Sequence, residues 1–145
     1  MKKKLSTAKI VAAVNILGAK DTKLGKMNES DQFAVVRTLC GAKPVAEAFE
    51  KYVAEARERL KPENFTEIQE KYQKFDTLTD NEKRELNKQI NDYENAVNRC
   101  VADELASEKE VTVHTINDGA FIKFLASNPD MSLNDKAVVA EFMQK

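Results

Sequence analysis

The sequence holds only four glycines and three prolines in 145 residues. So few turn-forming residues exclude a sandwich or barrel of many short strands and leave long helices as the expected architecture. Cysteine is equally scarce. Cys40 and Cys100 are the whole complement, with no CxxC and no Cys/His pairing, so no structural zinc site is expected. His114 is the single histidine. A catalytic imidazole needs a positioned partner, and Thr112 and Thr115 beside it form no triad, so a structural or surface role is expected. No apolar run approaches the roughly 20 residues that cross a bilayer, so no membrane partner is expected. An excess of one charge is also missing. The 23 basic and 24 acidic side chains leave a net charge of -1, which removes the bulk electrostatic case for a nucleic-acid partner. No phosphate loop, dinucleotide fingerprint or HExxH motif occurs.

What remains is a chain that is 42% hydrophobic and 32% charged, enough for one folded domain over residues 1–145. Its charge is unevenly spread. Residues 1–30 carry seven lysines against Asp21 and Glu29, and residues 61–110 carry eight basic against thirteen acidic side chains. Each excess suits a solvated face; together they would let copies stack head to tail.

The apolar spacing predicts mostly α structure, as a long antiparallel helical hairpin or bundle. Ser6 is placed to cap a first helix over Thr7–Ala19, with Ile10, Val11, Val14 and Leu17 as its stripe. A second helix opens near Ser30 with Phe33, Val36, Leu39 and Cys40 on its inner face. A kink or break is expected at Pro44, whose ring would meet the Cys40 carbonyl. Val45, Phe49, Tyr52, Ala56 and Leu60 then follow a near-heptad, coiled-coil-like seam to Lys61-Pro62. Phe65, Ile68, Tyr72 and Phe75 mark a third helix. The capping-box sequence Thr79-Asp80-Asn81-Glu82 opens a long one through Leu86, Ile90, Tyr93, Val97 and Leu105. The stretch 61–109 is expected to project as a helical hairpin arm. The aromatics Phe49, Tyr52, Phe65, Tyr72, Phe75 and Tyr93 read as core, and both cysteines as small buried hydrophobes.

The pattern changes at Glu110-Val111-Thr112-Val113-His114-Thr115-Ile116, β-branched and alternating: one short strand near the C-terminus. A lone strand is unstable. Its partner is Lys23–Met27, an unrecognised segment completing a small two-stranded sheet, or the same strand of a second copy. Asn117-Asp118-Gly119 turns the chain into a short apolar helix through Phe121, Ile122, Phe124 and Leu125. Ser132 caps a last helix with Leu133, Val138, Val139, Phe142 and Met143 on its apolar side.

No residues stand out as catalytic, and no cofactor is implied. The carboxylates of residues 63–110 sit at helical surface spacing beside lysines, as solvated ion pairs do. Asp103, Glu104 and Glu108 lack the histidine that would make them a di-metal motif, so no metal ligands are assigned. The candidate ligand site is for an anion: Lys9, Lys20, Lys23 and Lys26 of the basic N-terminal third.

One resemblance adds a setting. Lys4-Leu5-Ser6-Thr7-Ala8-Lys9-Ile10-Val11 precedes an apolar helix and a Lys-Leu-x-Lys segment. Phe49-Glu50-Lys51-Tyr52-Val53-Ala54-Glu55-Ala56-Arg57 follows on a helix, then Glu104-Leu105 before the Glu110–Ile116 strand, then a small closing helix from Leu133 to Met143. This order of parts resembles a family of small uncharacterised proteins of tailed bacteriophages and prophages, from which it departs in a longer Thr66–Asn98 segment and in the Gly41–Pro44 interruption. The resemblance implies a protein of the bacterial host cytoplasm or of the virion, and supplies no activity or functional residues. With it, the sequence points to a non-enzymatic helical interaction protein, structural or regulatory, that binds a protein partner or itself. The alternative is a protein that sequesters a small anion, such as a nucleotide signal of host defence.

Overall fold

Ser6 closes a strand and opens a helix. In the computed structural model, which describes residues 1–145, β1 (Lys2–Ser6) runs directly into α1 (Thr7–Leu17). The Ser6 hydroxyl accepts from the Lys9 amide at 3.3 Å, the expected N-cap. β1 pairs antiparallel with β2 (Glu108–Thr112), Lys4 lying opposite Glu110 and Leu5 opposite Lys109. This answers the question of the strand's partner, and the answer is the unrecognised segment. Lys23–Met27 is a loop. A run of three lysines has no β-branched signature, but lysine on a two-stranded edge keeps it from pairing further, and Lys3 and Leu5 share the half-buried side. The ladder continues at both ends, through Val113 N to Met1 O (2.7 Å) and Thr7 N to Ser107 O (2.8 Å).

The remaining elements are α2 (Glu29–Arg59), α3 (Phe65–Gln73), α4 (Asp80–Ala106), α5 (Asp118–Ser127) and α6 (Leu133–Met143), with a single 3-10 turn at Phe75–Thr77. The fold is mostly helical with one small sheet, as expected. β2 begins two residues before the expected Glu110–Ile116 strand and ends at Thr112, and three further details differ. First, α2 runs unbroken through Pro44. The residue whose carbonyl the proline leaves unpaired, Cys40, is exposed, so water can satisfy it, while Ala42 and Ala46 on the opposite side are buried. Second, the inner face of α2 is Val35, Thr38, Ala42 and Ala46; Phe33, Val36 and Cys40 point to solvent. Thr38 replaces an apolar residue in that stripe because its hydroxyl donates to Ala34 O and accepts from His114 N, both at 2.8 Å. Third, Asn117 begins a helix rather than a turn: its Oδ1 accepts from Ala120 N at 2.8 Å.

Two compact units result. Unit 1 comprises Met1–Phe49 and Leu105–Lys145, and unit 2 comprises Glu50–Glu104. The core of unit 1 is one cluster: Ile10, Ala13, Val14 and Leu17 from α1, Val35 and Ala42 from α2, Val111 and Val113 around β2, Phe124 from α5, and Val139, Phe142 and Met143 from α6. The carbonyls of the last turn of α6 are fully accounted for. Ala140 O takes Gln144 N, Met143 O takes Ile116 N, and Lys3 Nζ donates to Glu141 O, Phe142 O and Gln144 O. The last turn of α6 has no basic side chain of its own, so Lys3 supplies the charge that a helix C-terminus favours. The buried core of unit 2 is Ala56, Ile68, Leu86 and Val97.

Candidate interaction surface

Unit 2 is built by three segments. Lys61-Pro62 ends α2 because proline disfavours a helical residue before it. α3 follows as a short helix with Phe65, Ile68 and Tyr72 on one side. The capping box then starts α4, the Thr79 hydroxyl accepting from Glu82 N (3.2 Å) and lying 3.0 Å from Glu82 Oε1. α4 carries the chain back past the last turns of α2. There the Tyr93 hydroxyl donates to Arg57 O at 2.6 Å, and the Arg57 guanidinium meets Glu94 at 3.4 Å.

Between these segments lies an open groove of about 750 Å³. Phe65, Ile68, Tyr72, Ile90 and Tyr93 form its apolar floor and walls, with Arg57, Glu58, Lys61 and Glu94 at the margins. Phe65 and Tyr93 are tilted rings 5.6 Å apart, and the Lys61 ammonium sits 4.9 Å from the Phe65 centroid. Beyond them Tyr72 and Phe75 are 6.4 Å apart, with Lys83 5.1 Å from the Phe75 ring. Three of the six aromatics expected as core, Phe65, Tyr72 and Tyr93, therefore line a groove. None is fully buried, and Tyr72 is 63% exposed. The marginal charges are paired at exposed positions, Lys61 with Glu58 at 2.8 Å and Arg57 with Glu94, so each pair is worth little. The groove is thus chemically a hydrophobic slot with self-neutralised margins.

The four lysines named from the sequence all lie in unit 1 and do not converge. Lys9 is ion-paired with Glu141. Lys9 lies in the first turn of α1, whereas Lys20 lies beyond its C-cap Gly18. Lys23 Nζ donates to Lys20 O at 3.3 Å and borders a second hollow, of about 700 Å³, whose other charged residues are Asp21, Asp130 and Asp135. Lys26 is exposed, its amide held by Ser127 Oγ at 3.0 Å. What shapes this loop is a residue that the sequence reading passed over. Asn128 is 6% exposed; its Oδ1 accepts from Lys23 N and its Nδ2 donates to Lys23 O, both at 2.7 Å. Only its place at the end of an apolar helix, before Pro129, hints at this.

His114 contributes its backbone amide to Thr38. Cys100 is half-buried with Arg59 Nη2 3.8 Å from its sulfur, and Cys40 is exposed, so neither cysteine is a buried hydrophobe. No three His, Cys, Asp or Glu side chains are grouped to hold a metal ion. No helix is long and apolar enough to cross a membrane. Comparison with protein-family models, curated proteins and solved structures returns no match.

Proposed function

We propose that the chain is a small, self-associating helical interaction protein, structural or regulatory, of the tailed-phage and prophage setting, working in the bacterial host cytoplasm or on the virion. The observation that carries the binding role is the groove of unit 2. Its rings could have been packed inward, yet they line an open slot with Tyr72 mostly in solvent. A helix laid into an apolar slot is a recurring mode of protein recognition. The occupant assigned to it is an amphipathic helix of a partner protein with a basic outer side. Unit 2 has fourteen acidic and ten basic side chains, so its surface attracts such a helix and repels an acidic one.

A labelled Leu/Lys amphipathic helix of about 18 residues, spanning several turns, is the probe. Saturable binding that is lost in Tyr72→Asp, together with weak binding of the Leu/Glu counterpart, supports the reading. Absence of binding, or equal binding to Tyr72→Asp, overturns it. A rise in thermal stability with nucleotides, sensitive to Lys23 and Lys26 substitution, would instead favour the anion-sequestering alternative. The setting has its own test: tail, capsid or anti-defence genes beside this one support it, and a neighbourhood of ordinary chromosomal genes argues against it.

A further inference from the structure

Within unit 2, α3 is held differently from the helices beside it. α2 and α4 are tied to each other by polar contacts: the Tyr93 hydroxyl to Arg57 O, Arg57 to Glu94, and Arg59 Nη2 to the Cys100 sulfur. α3 has no hydrogen bond or ion pair to either of them. Its main-chain bonds stay within residues 62–74, and its one ion pair, Lys71 with Glu67, runs along its own surface. What holds it is apolar and lies toward its N-terminal end: the Phe65 ring against Tyr93, and Ile68, the one buried residue of the helix. Residues 69–73 are all exposed, and the ring partner of Tyr72 is Phe75 of the following 3-10 turn. No side chain caps the start of α3.

A helix of nine residues is too short to hold itself in water and depends on burying an apolar face. α3 has such a face in Phe65, Ile68 and Tyr72, yet buries only Ile68. Tyr72 gains a surface to pack on only when something fills the groove that it lines. An element fixed at one end, with few buried contacts at the other, opens at small cost. We infer that α3 is a hinged clamp: Phe65 and Ile68 are its pivot, and its C-terminal half, with Tyr72, becomes ordered against the helix that occupies the groove. This rests on the groove as a helix-binding site and adds how that site closes. Binding then carries the cost of ordering α3, so helix propensity on its outer side sets affinity.

Hydrogen exchange tests this, with the Leu/Lys amphipathic helix as probe and with Glu70→Ala and Glu70→Gly as variants. Glu70 is exposed and does not line the groove. The two variants lose the same charge and differ chiefly in helix propensity. In the free protein, the amides of residues 69–73 should exchange at least about tenfold faster than those of residues 90–97 in α4, and saturating probe should slow them by about tenfold or more. Glu70→Gly should bind the probe about fivefold more weakly than Glu70→Ala, with α4 exchange the same in both. A probe that binds while the α3 amides are already as protected as those of α4, or without slowing them, overturns the clamp and leaves the groove reading standing. Equal affinity of the two variants, or faster α4 exchange in Glu70→Gly, does the same. A probe that does not bind at all overturns both.

Discussion

The buried Asn128 amide makes three bonds to main chain, to Lys23 N, Lys23 O and Phe124 O, the last at 2.8 Å. Asn128 Oδ1 is the acceptor for Lys23 N, so removing the side chain orphans a donor as well as loosening the loop. Asn128→Ala should lose about 2–3 kcal/mol in urea unfolding. Asn128→Asp is the sharper probe. It keeps the acceptor for Lys23 N but turns an oxygen toward the carbonyls of Lys23 and Phe124, where a charged carboxylate is repelled and a protonated one can donate. The new carboxyl therefore titrates above the usual range of about 4 when folded. Between the unfolded and folded values the native state binds more protons, so stability falls as pH rises. The variant should be weakest near neutrality and regain stability, relative to Asn128→Ala, on acidification. Equal pH profiles for the two variants would show that the oxygen does not face those carbonyls.

At the scale of elements, helices were legible and their inner faces only partly so. α1 buries Ile10, Val14 and Leu17 as its spacing indicates, and the Ser6, Thr79 and Ser132 caps form as read, because each rests on bonds within a few residues. The face of α2 was misread because Phe33, Val36 and Cys40 follow the same 3.6-residue period as the buried set, and periodicity alone cannot say which of two apolar stripes meets the core. β1 escaped notice because its stability comes from β2 about a hundred residues away. The groove was legible only as an aromatic seam: three of its six rings, Phe65, Tyr72 and Tyr93, line the groove, and none of the six is buried. Pro44 remains a local penalty that packing overrides. Pro44→Ala restores the bond to Cys40 O and should stabilise α2 by about 1–3 kcal/mol, read as a higher urea midpoint. An unchanged midpoint would mean that α2 is already distorted there to relieve the clash. Lys3 joins two elements end-on. Burial lowers its ammonium below the ordinary 10.5, with Glu141 opposing the shift. Just below 10.5 the unfolded chain therefore holds a proton that the folded chain has partly released, and stability gains from this group as pH rises through that window. Lys3→Met should abolish that gain and, by leaving the α6 carbonyls to water, cost about 1 kcal/mol at neutral pH. Matching pH profiles of wild type and variant in the alkaline range would refute it.

At the scale of the molecule, the two cores are unequal. Sixteen buried apolar residues form the cluster of unit 1, whereas the 55 residues of unit 2 bury only Ala56, Ile68, Leu86 and Val97. Stability grows with apolar area removed from water, so unit 2 should be the first to open. The composition provides a selective reporter. There is no tryptophan, and all three tyrosines, Tyr52, Tyr72 and Tyr93, fall in unit 2, while the single histidine, His114, falls in unit 1. Tyrosine emission thus reports unit 2 alone, circular dichroism sums both units, and the His114 ring proton resonances follow unit 1. In urea, tyrosine emission should change at a lower concentration than the His114 resonances, with circular dichroism spanning both. Leu86→Ala should move the tyrosine transition by about 2–5 kcal/mol, the usual range for emptying a buried leucine site, and leave the His114 transition nearly in place. The helices α2 and α4 belong to both units and are the only covalent routes by which loss of one core can reach the other. Should all three probes coincide, and should Leu86→Ala shift them equally, those two helices bind the cores into one cooperative structure.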